Sequence, residues 1–230
     1  MKMAFKYLFI IFILINLLII LSVNSWMYKA ISITYLKGYT SSYISDFVHF
    51  PANTIETGIH QEWGIANNYN KAELPEFINE VNKELETVAF MVIKSDSIIF
   101  EEYWHGYSAD TMSNSYSMAK SWISTLVGVA IKEGKIESVN QKVCDFIPEF
   151  CESENSEITI KHLLTQSSGL DWDENYYNPL GQTANAYYGN DLRSLVTSLK
   201  STEAPGKVFK YHTTFKRSSA GIRQLCFLGR

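Results

Sequence analysis

The run S-Y-S-M-A-K-S-W-I-S-T-L-V-G-V-A-I-K-E-G, residues 115–134, restricts the fold more than any other stretch of the chain. Trp122, Ile123, Leu126, Val127, Ala130 and Ile131 recur at helical spacing. They predict a helix from Ser117 to Glu133 with one continuous apolar face, ended by Gly134 in a left-handed cap. A face that wide must be covered by another layer of structure. Two β-rich runs, residues 87–93 and 98–104, surround a Lys-Ser-Asp-Ser turn and predict a hairpin, although the turn has no glycine. Further helices are predicted from Leu74 to Leu85 with Pro75 near the start, between Glu157 and Gly169 with Thr159 as N-cap, and over residues 190–200 with Asn190 or Asp191 as cap. Strands that lead into helices imply a mixed α/β domain.

A second constraint lies at the N-terminus. After Lys2 and Lys6 comes an apolar run over residues 7–23, broken only by Asn16 and Ser22. At ~1.5 Å per residue such a run just spans a hydrocarbon core of roughly 30 Å, with Phe5 and Trp26 as interfacial flanks. A cleaved signal peptide has the same order of charged and apolar residues, but S-V-N-S-W is a poor cleavage site. The expectation is an uncleaved anchor with the lysines on the cytosolic side and the rest of the chain outside, secretion after cleavage being the alternative. The chain has 230 residues and a formal net charge of -4, with basic residues scattered through the main body. That charge pattern carries no footprint for nucleic acid. The expected organisation is a membrane segment over 1–26, a lead-in with loop-like pieces over 27–72, a catalytic domain over 73–211 and an atypical tail over 212–230.

Ser117 and Lys120 suggest the chemistry. A serine hydroxyl is a weak nucleophile at neutral pH and needs a base beside it. Positions i and i+3 share a helix face, so the Lys120 amine reaches the Ser117 hydroxyl. Desolvation would let that amine act as a base. Ser117 at the helix start also gains from free N–H groups, and its own N–H would form half of an oxyanion hole. Alone, Ser-x-x-Lys recurs about once by chance in a chain of this size. An N-cap serine followed by a solvated lysine would read the same way.

The surrounding motifs are more specific. S-Y-S-M-A-K-S, an apolar helix ending in K-E-G-K-I, V-C-D-F-I-P-E-F and I-T-I-K-H-L-L-T-Q-S-S-G-L-D-W follow one another in order. Together, over roughly residues 70–211, they resemble the β-lactamase-related serine hydrolases of the class C-like branch. The hairpin and the segment Y-Y-N-P to N-D-L are most similar to the 6-aminohexanoate-dimer hydrolases and related carboxylesterases. The resemblance implies a β-lactamase/transpeptidase-like fold, an antiparallel sheet flanked by helices, with Ser117 acylated and Lys120 taking its proton. It implies a tyrosine after a Pro-Gly turn as a second proton-transfer group. Pro205, Gly206 and Tyr211 match, with Thr213 where the family carries Asn or Ser. Tyr176 and Tyr177 fall where this branch has a substrate-facing loop tyrosine, and packing would explain either one as well.

The same resemblance implies a later strand carrying Lys-Thr-Gly or His-x-Gly, which would complete the oxyanion hole and the sheet. The sequence instead closes with H-T-T-F-K-R-S-S-A-G-I-R-Q-L-C-F-L-G-R, with four Lys and Arg and no acidic residue. It reads as an altered frame or premature end, so a partial catalytic domain is expected. The implied function is hydrolysis of a small ester or amide through acyl-Ser117. The alternatives are an inactive remnant and a penicillin-binding envelope protein. No cofactor is implied, and His49, His60, His105, His162 and His212 have no metal-ligand spacing. There is no Gly-x-Ser-x-Gly elbow, and Asp171 and Asp173 read as loop solvation and capping. Cys144 and Cys151 would either close a short disulfide loop or pack as two small apolar residues, and Cys226 is left over.

Overall fold

The computed structural model describes residues 2–22, 25–56, 58–59 and 61–213. Met1, Val23, Asn24, Thr57, His60 and the tail from residue 214, with Cys226, lie outside them. The chain divides into two compact units, residues 1–46 with 115–230, and residues 47–114.

In the first unit α1 (Lys2–Leu21) is the apolar run. Its 20 residues are long and apolar enough to cross a membrane, and its side chains are exposed. Asn16 spends its amide on Phe12 O (2.8 Å) and accepts from the Tyr28 hydroxyl (2.6 Å), so its polar groups are met locally. α2 (Trp26–Ile33) replaces the start of the expected loop-like lead-in. Trp26, Ala30 and Ile33, spaced i, i+4, i+7, are buried along one face of it.

The reactive run forms α4 (Ala119–Lys132), entered through a 3₁₀ turn over Tyr116–Met118, so the α-helix starts two residues later than expected. Gly134 adopts φ 71° behind it, and the Gly134 and Lys135 amides close onto Ile131 O and Ala130 O. The single apolar face divides in two. Ile123, Val127 and Ala130 are buried, whereas Trp122 is 70 % exposed and Leu126 and Val129 are also exposed. The helix is apolar over a wider arc than one packed layer covers, and periodicity does not say which side is used.

α5 (Ile160–Leu164) is capped by Thr159, whose hydroxyl accepts from the His162 amide while His162 Nδ1 accepts from the Thr159 amide. It stops well before Gly169, because Gln166 turns left-handed at φ 55°. The sequence reading missed α6 (Gln182–Tyr188), while α7 (Leu192–Thr197) starts from Asp191, whose carboxylate accepts from the Ser194 amide at 2.9 Å. Ile123, Phe150, Ile158, Leu163, Trp172 and Val196 belong to one buried cluster, and Val127, Ala130, Ile136 and Ile160 form another. Asn155, 1 % exposed, donates to Leu199 O and accepts from the Ser201 amide, both at 2.7 Å. These bonds satisfy a buried amide and lock the chain just before the Pro-Gly turn.

The second unit holds β1 (Gly64–Ile65), α3 (Glu76–Glu84, with Pro75 as N-cap), β2 (Ala89–Lys94) and β3 (Ser97–Tyr103). The hairpin forms without glycine because Ser95 and Asp96 both adopt positive φ, 49° and 58°, as a type I′ turn requires. The β2–β3 register is antiparallel with a bulge beside Val92 and Ile93. β1 adds parallel to β3, so the sheet has the order β1-β3-β2 and is mixed, where an antiparallel sheet was expected. Asn70 holds that added segment: its side chain donates to Glu101 O and accepts from the Glu101 amide, both at 2.9 Å.

The division of α4 into buried and exposed sides is measurable. Phe150, 1 % exposed in the core under α4, should lose about 3–5 kcal/mol on truncation to Ala. Trp122→Ala should stay within about 0.5 kcal/mol of the parent, as for an exposed side chain. Urea titration of both variants beside the parent checks this, and a larger loss at Trp122 would show that its face is packed.

Candidate active site

Ser117 sits in the middle of the 3₁₀ turn that feeds α4. The residue before it, Tyr116, has φ 41°, a left-handed conformation that costs a bulky residue about 1–3 kcal/mol and persists only where its surroundings impose it. The bend presents the Ser117 side chain at the head of the helix. One turn later Lys120 returns to it, with Nζ donating to Ser117 Oγ at 3.2 Å. This is the i, i+3 contact expected from the spacing.

Tyr211 reaches the same oxygen from 94 residues away, its hydroxyl donating to Ser117 Oγ at 2.7 Å. Several constraints bring it there. Pro205 and Gly206 make a turn in which Gly206 has φ 82°, and a Cβ on it would meet His162 Nε2 at 3.0 Å. The Gly206 amide donates to Ser167 O at 2.7 Å. Gln166 then grips the chain on both sides of the tyrosine. Its carbonyl accepts from the Lys210 amide (2.8 Å) and its side-chain Oε1 from the His212 amide (2.7 Å).

The electrostatics follow from these contacts. Partial burial pushes the Tyr211 phenol up, but hydrogen bonding to Lys120 and Ser117 and the Lys120 charge outweigh it, so its pKa lies below the usual 10.0. Lys120 Nζ stands 4.6 Å from the Tyr211 ring centre. His212 is 2 % exposed, and burial holds its imidazole down to about 4, so it is neutral at physiological pH.

Glu174, overlooked in the sequence beside Asp171 and Asp173, is a hub. Its carboxylate accepts from the Thr213 amide at 2.7 Å and from the side chains of Thr213, Trp172 and Tyr176. Burial raises its pKa, yet these donors overcome that and keep it below the ordinary carboxylate value. Tyr176 is pushed up to about 12 by burial and by its bond to Glu174. Of the two loop tyrosines, Tyr176 lines a cavity of about 280 Å³ that Ser117 also lines, whereas Tyr177 is 94 % exposed. Glu174 lies just past I-T-I-K-H-L-L-T-Q-S-S-G-L-D-W and Gln166 inside it, but what each holds is set by tertiary contacts, with Thr213 and with Lys210 and His212. Cys144 and Cys151 are free thiols, with Cys151 Sγ 3.2 Å from Cys144 O. Among the described residues no three His, Cys, Asp or Glu side chains gather as a metal site.

Comparison with known proteins bears on the family and the fold. The family model described as Beta-lactamase matches residues 73–214. The 6-aminohexanoate-dimer hydrolase of Paenarthrobacter ureafaciens is 29 % identical over 100 residues, which is 44 % of this chain and 25 % of that protein. A solved Bacillus anthracis structure, named for the same 6-aminohexanoate-dimer hydrolase activity, aligns at a TM-score of 0.59 and 18 % identity. It covers 72 % of this chain and 48 % of that one, and the likeness is one of fold. The crystal structure of a family VIII carboxylesterase aligns at a TM-score of 0.49 and 20 % identity, over 74 % of this chain and 47 % of that one. The chain thus spans a quarter of the curated relative's length and about half that of these structures. With the family model covering well over half of its residues, the chain belongs to the β-lactamase family of serine hydrolases.

Proposed function

We propose that the protein is an acyl hydrolase that cleaves a small ester or amide through a covalent intermediate on Ser117. The observation that carries this reading is the meeting of two groups on the Ser117 oxygen, Lys120 from the next helical turn at 3.2 Å and Tyr211 from 94 residues away at 2.7 Å. In the first step Ser117 Oγ attacks the carbonyl carbon and its proton passes to the Lys120–Tyr211 pair. The bond to the leaving group then breaks, and the pair returns the proton to the departing oxygen or nitrogen. Water reverses the sequence: its proton goes to the same pair, its oxygen bonds to the acyl carbon, and Ser117 leaves with the proton restored. Tyr211, with its pKa lowered beside the Lys120 amine, is suited to hold that proton briefly. Thr213 stands in the third motif position and binds Glu174, so here that position serves to hold the segment that carries the tyrosine.

The apolar helix α1 supports a location at a membrane, with Lys2 and Lys6 on the cytosolic side and the catalytic region outside the cytosol. A retained anchor and a removed signal differ in the mass of the mature protein, which intact-mass measurement of membrane-extracted material reads directly.

Two outcomes are expected of the site. A fluorophosphonate probe should add once to the parent protein and not to Ser117→Ala, by intact mass. A folded parent that takes no adduct would mean that the three groups are assembled but inert. Tyr211→Phe should lower kcat for a p-nitrophenyl ester by about 10²–10⁴-fold. The parent rate should rise with pH as the phenol deprotonates, with its midpoint below the usual phenol value of 10.0, because the Tyr211 pKa is lowered. If that limb is unchanged in Tyr211→Phe, the tyrosine has no part in the proton transfer.

A further inference from the structure

We propose that the segment after the apolar helix, residues 34–46, forms the outer wall of the acyl pocket, and that this pocket selects an uncharged acyl group over one carrying a carboxylate. The inference rests on the acyl-Ser117 reading and adds to it the class of acyl group.

The cavity that opens at Ser117 has walls from four stretches. One is the N-terminal segment, through Tyr35 and Thr40–Ser42; the others are Tyr116–Ser117, the loop and helix containing Tyr176 and Tyr187, and Thr213. The N-terminal segment does not drape there loosely. α2 packs against α6, and Thr34 Oγ1 meets the Tyr188 hydroxyl at 2.8 Å in a buried bond. Twelve residues later Asp46, 0 % exposed, accepts from the Tyr187 hydroxyl (2.7 Å) and from the Tyr43 amide (3.2 Å). Tyr39 and Tyr43 stack at 3.9 Å between these anchors. One buried and one partly buried polar bond, each costly to leave unmade, therefore bracket residues 35–42 and hold them as a wall.

The lining chemistry decides what fits. The described residues that line the cavity are Tyr, Thr, Ser, Asn, Pro and Ala, with no Asp, Glu, Lys, Arg or His among them. At about 280 Å³ the space is near the lower end of ligand pockets and suits a short acyl chain. Two carboxylates stand one side chain behind the wall, each accepting a hydrogen bond from a lining tyrosine hydroxyl. These are Asp46 behind Tyr187 and Glu174 behind Tyr176. Lys120, at the Ser117 end, is engaged with Ser117 Oγ and the Tyr211 ring. A carboxylate entering this space would lose its water, meet no cation among the described lining residues and approach two negative charges. A neutral aliphatic group meets tyrosine rings and methyl groups.

The test uses the full chain in detergent and two esters with the same leaving group, p-nitrophenyl butyrate and mono-p-nitrophenyl succinate. The second differs in the acyl part by a terminal carboxylate in place of a methyl. The kcat/KM for butyrate should exceed that for the succinate by at least about tenfold. Ser42→Phe, which fills the outer wall, should lower the butyrate-to-acetate ratio of kcat/KM by at least about fivefold, as a pocket that discriminates by methylenes does. Fluorophosphonate labelling of Ser117 is read in parallel. Labelling with an equal or faster succinate rate overturns the uncharged pocket and leaves the acyl-Ser117 reading standing. Labelling with an unchanged ratio in a folded Ser42→Phe overturns the role of the N-terminal wall. No labelling and no turnover overturns the acyl-Ser117 reading and the pocket assignment with it.

Discussion

The structure around Ser117 depends on one short hydrogen bond, the 2.7 Å contact between the Tyr211 hydroxyl and Ser117 Oγ. Lys120 is delivered by helix geometry alone, because residues three apart share a face. Tyr211 must be carried across the fold. Gln166 does that by holding the chain at Lys210 and His212, Gly206 by turning where a side chain would strike His162, and Glu174 by gathering Thr213, Trp172 and Tyr176. Each bond alone is modest. Together they place a phenol within hydrogen-bond reach of the Ser117 hydroxyl.

The same economy of parts shapes the electrostatics. Lys120 lowers the Tyr211 pKa, and Tyr211 offers its ring to the Lys120 ammonium, so the two side chains are electrostatically coupled. Around them two tyrosines turn their hydroxyls to carboxylates, Tyr187 to the buried Asp46 and Tyr176 to the partly buried Glu174. Such pairs add to the other donors that Asp46 and Glu174 already have, and the cavity lining is aromatic and uncharged among the described residues. The N-terminal segment, joined through Thr34 and Asp46, is therefore part of the site's architecture and more than a connector from α1.

Several features were legible in the order of residues because they depend on neighbours in the chain. These are the helix from the 3.6-residue period, the Gly134 cap, the Thr159 and Asp191 caps, the hairpin, and the Ser117–Lys120 pair. Their physics is local, so spacing suffices. Tyr211 was legible through its motif after a Pro-Gly turn, which marks a position without saying how the chain reaches it. The hairpin illustrates the limit even of local reading. Its turn lacks glycine, yet Ser95 and Asp96 both take the left-handed conformation that a two-residue connection demands.

Tertiary structure alone decided the rest. Which side of α4 is buried, Val127 or Trp122, depends on what packs there, since both sides are apolar in sequence. β1 joins β3 in parallel through backbone bonds that carry little side-chain signature, and Asn70 holds it by pairing with the Glu101 backbone. Gln166, Glu174 and Asn155 are ordinary polar residues in sequence and become fixed points only when partners 39 to 46 residues away arrive. α2 and α6 are short, with weak intrinsic propensity, and gain their order by packing on each other. The sequence by itself determined the Ser117–Lys120 contact and the helix that bears it, because those need only one turn of backbone. The third group, the pocket wall and the uncharged lining need contacts between distant segments, which no local pattern encodes.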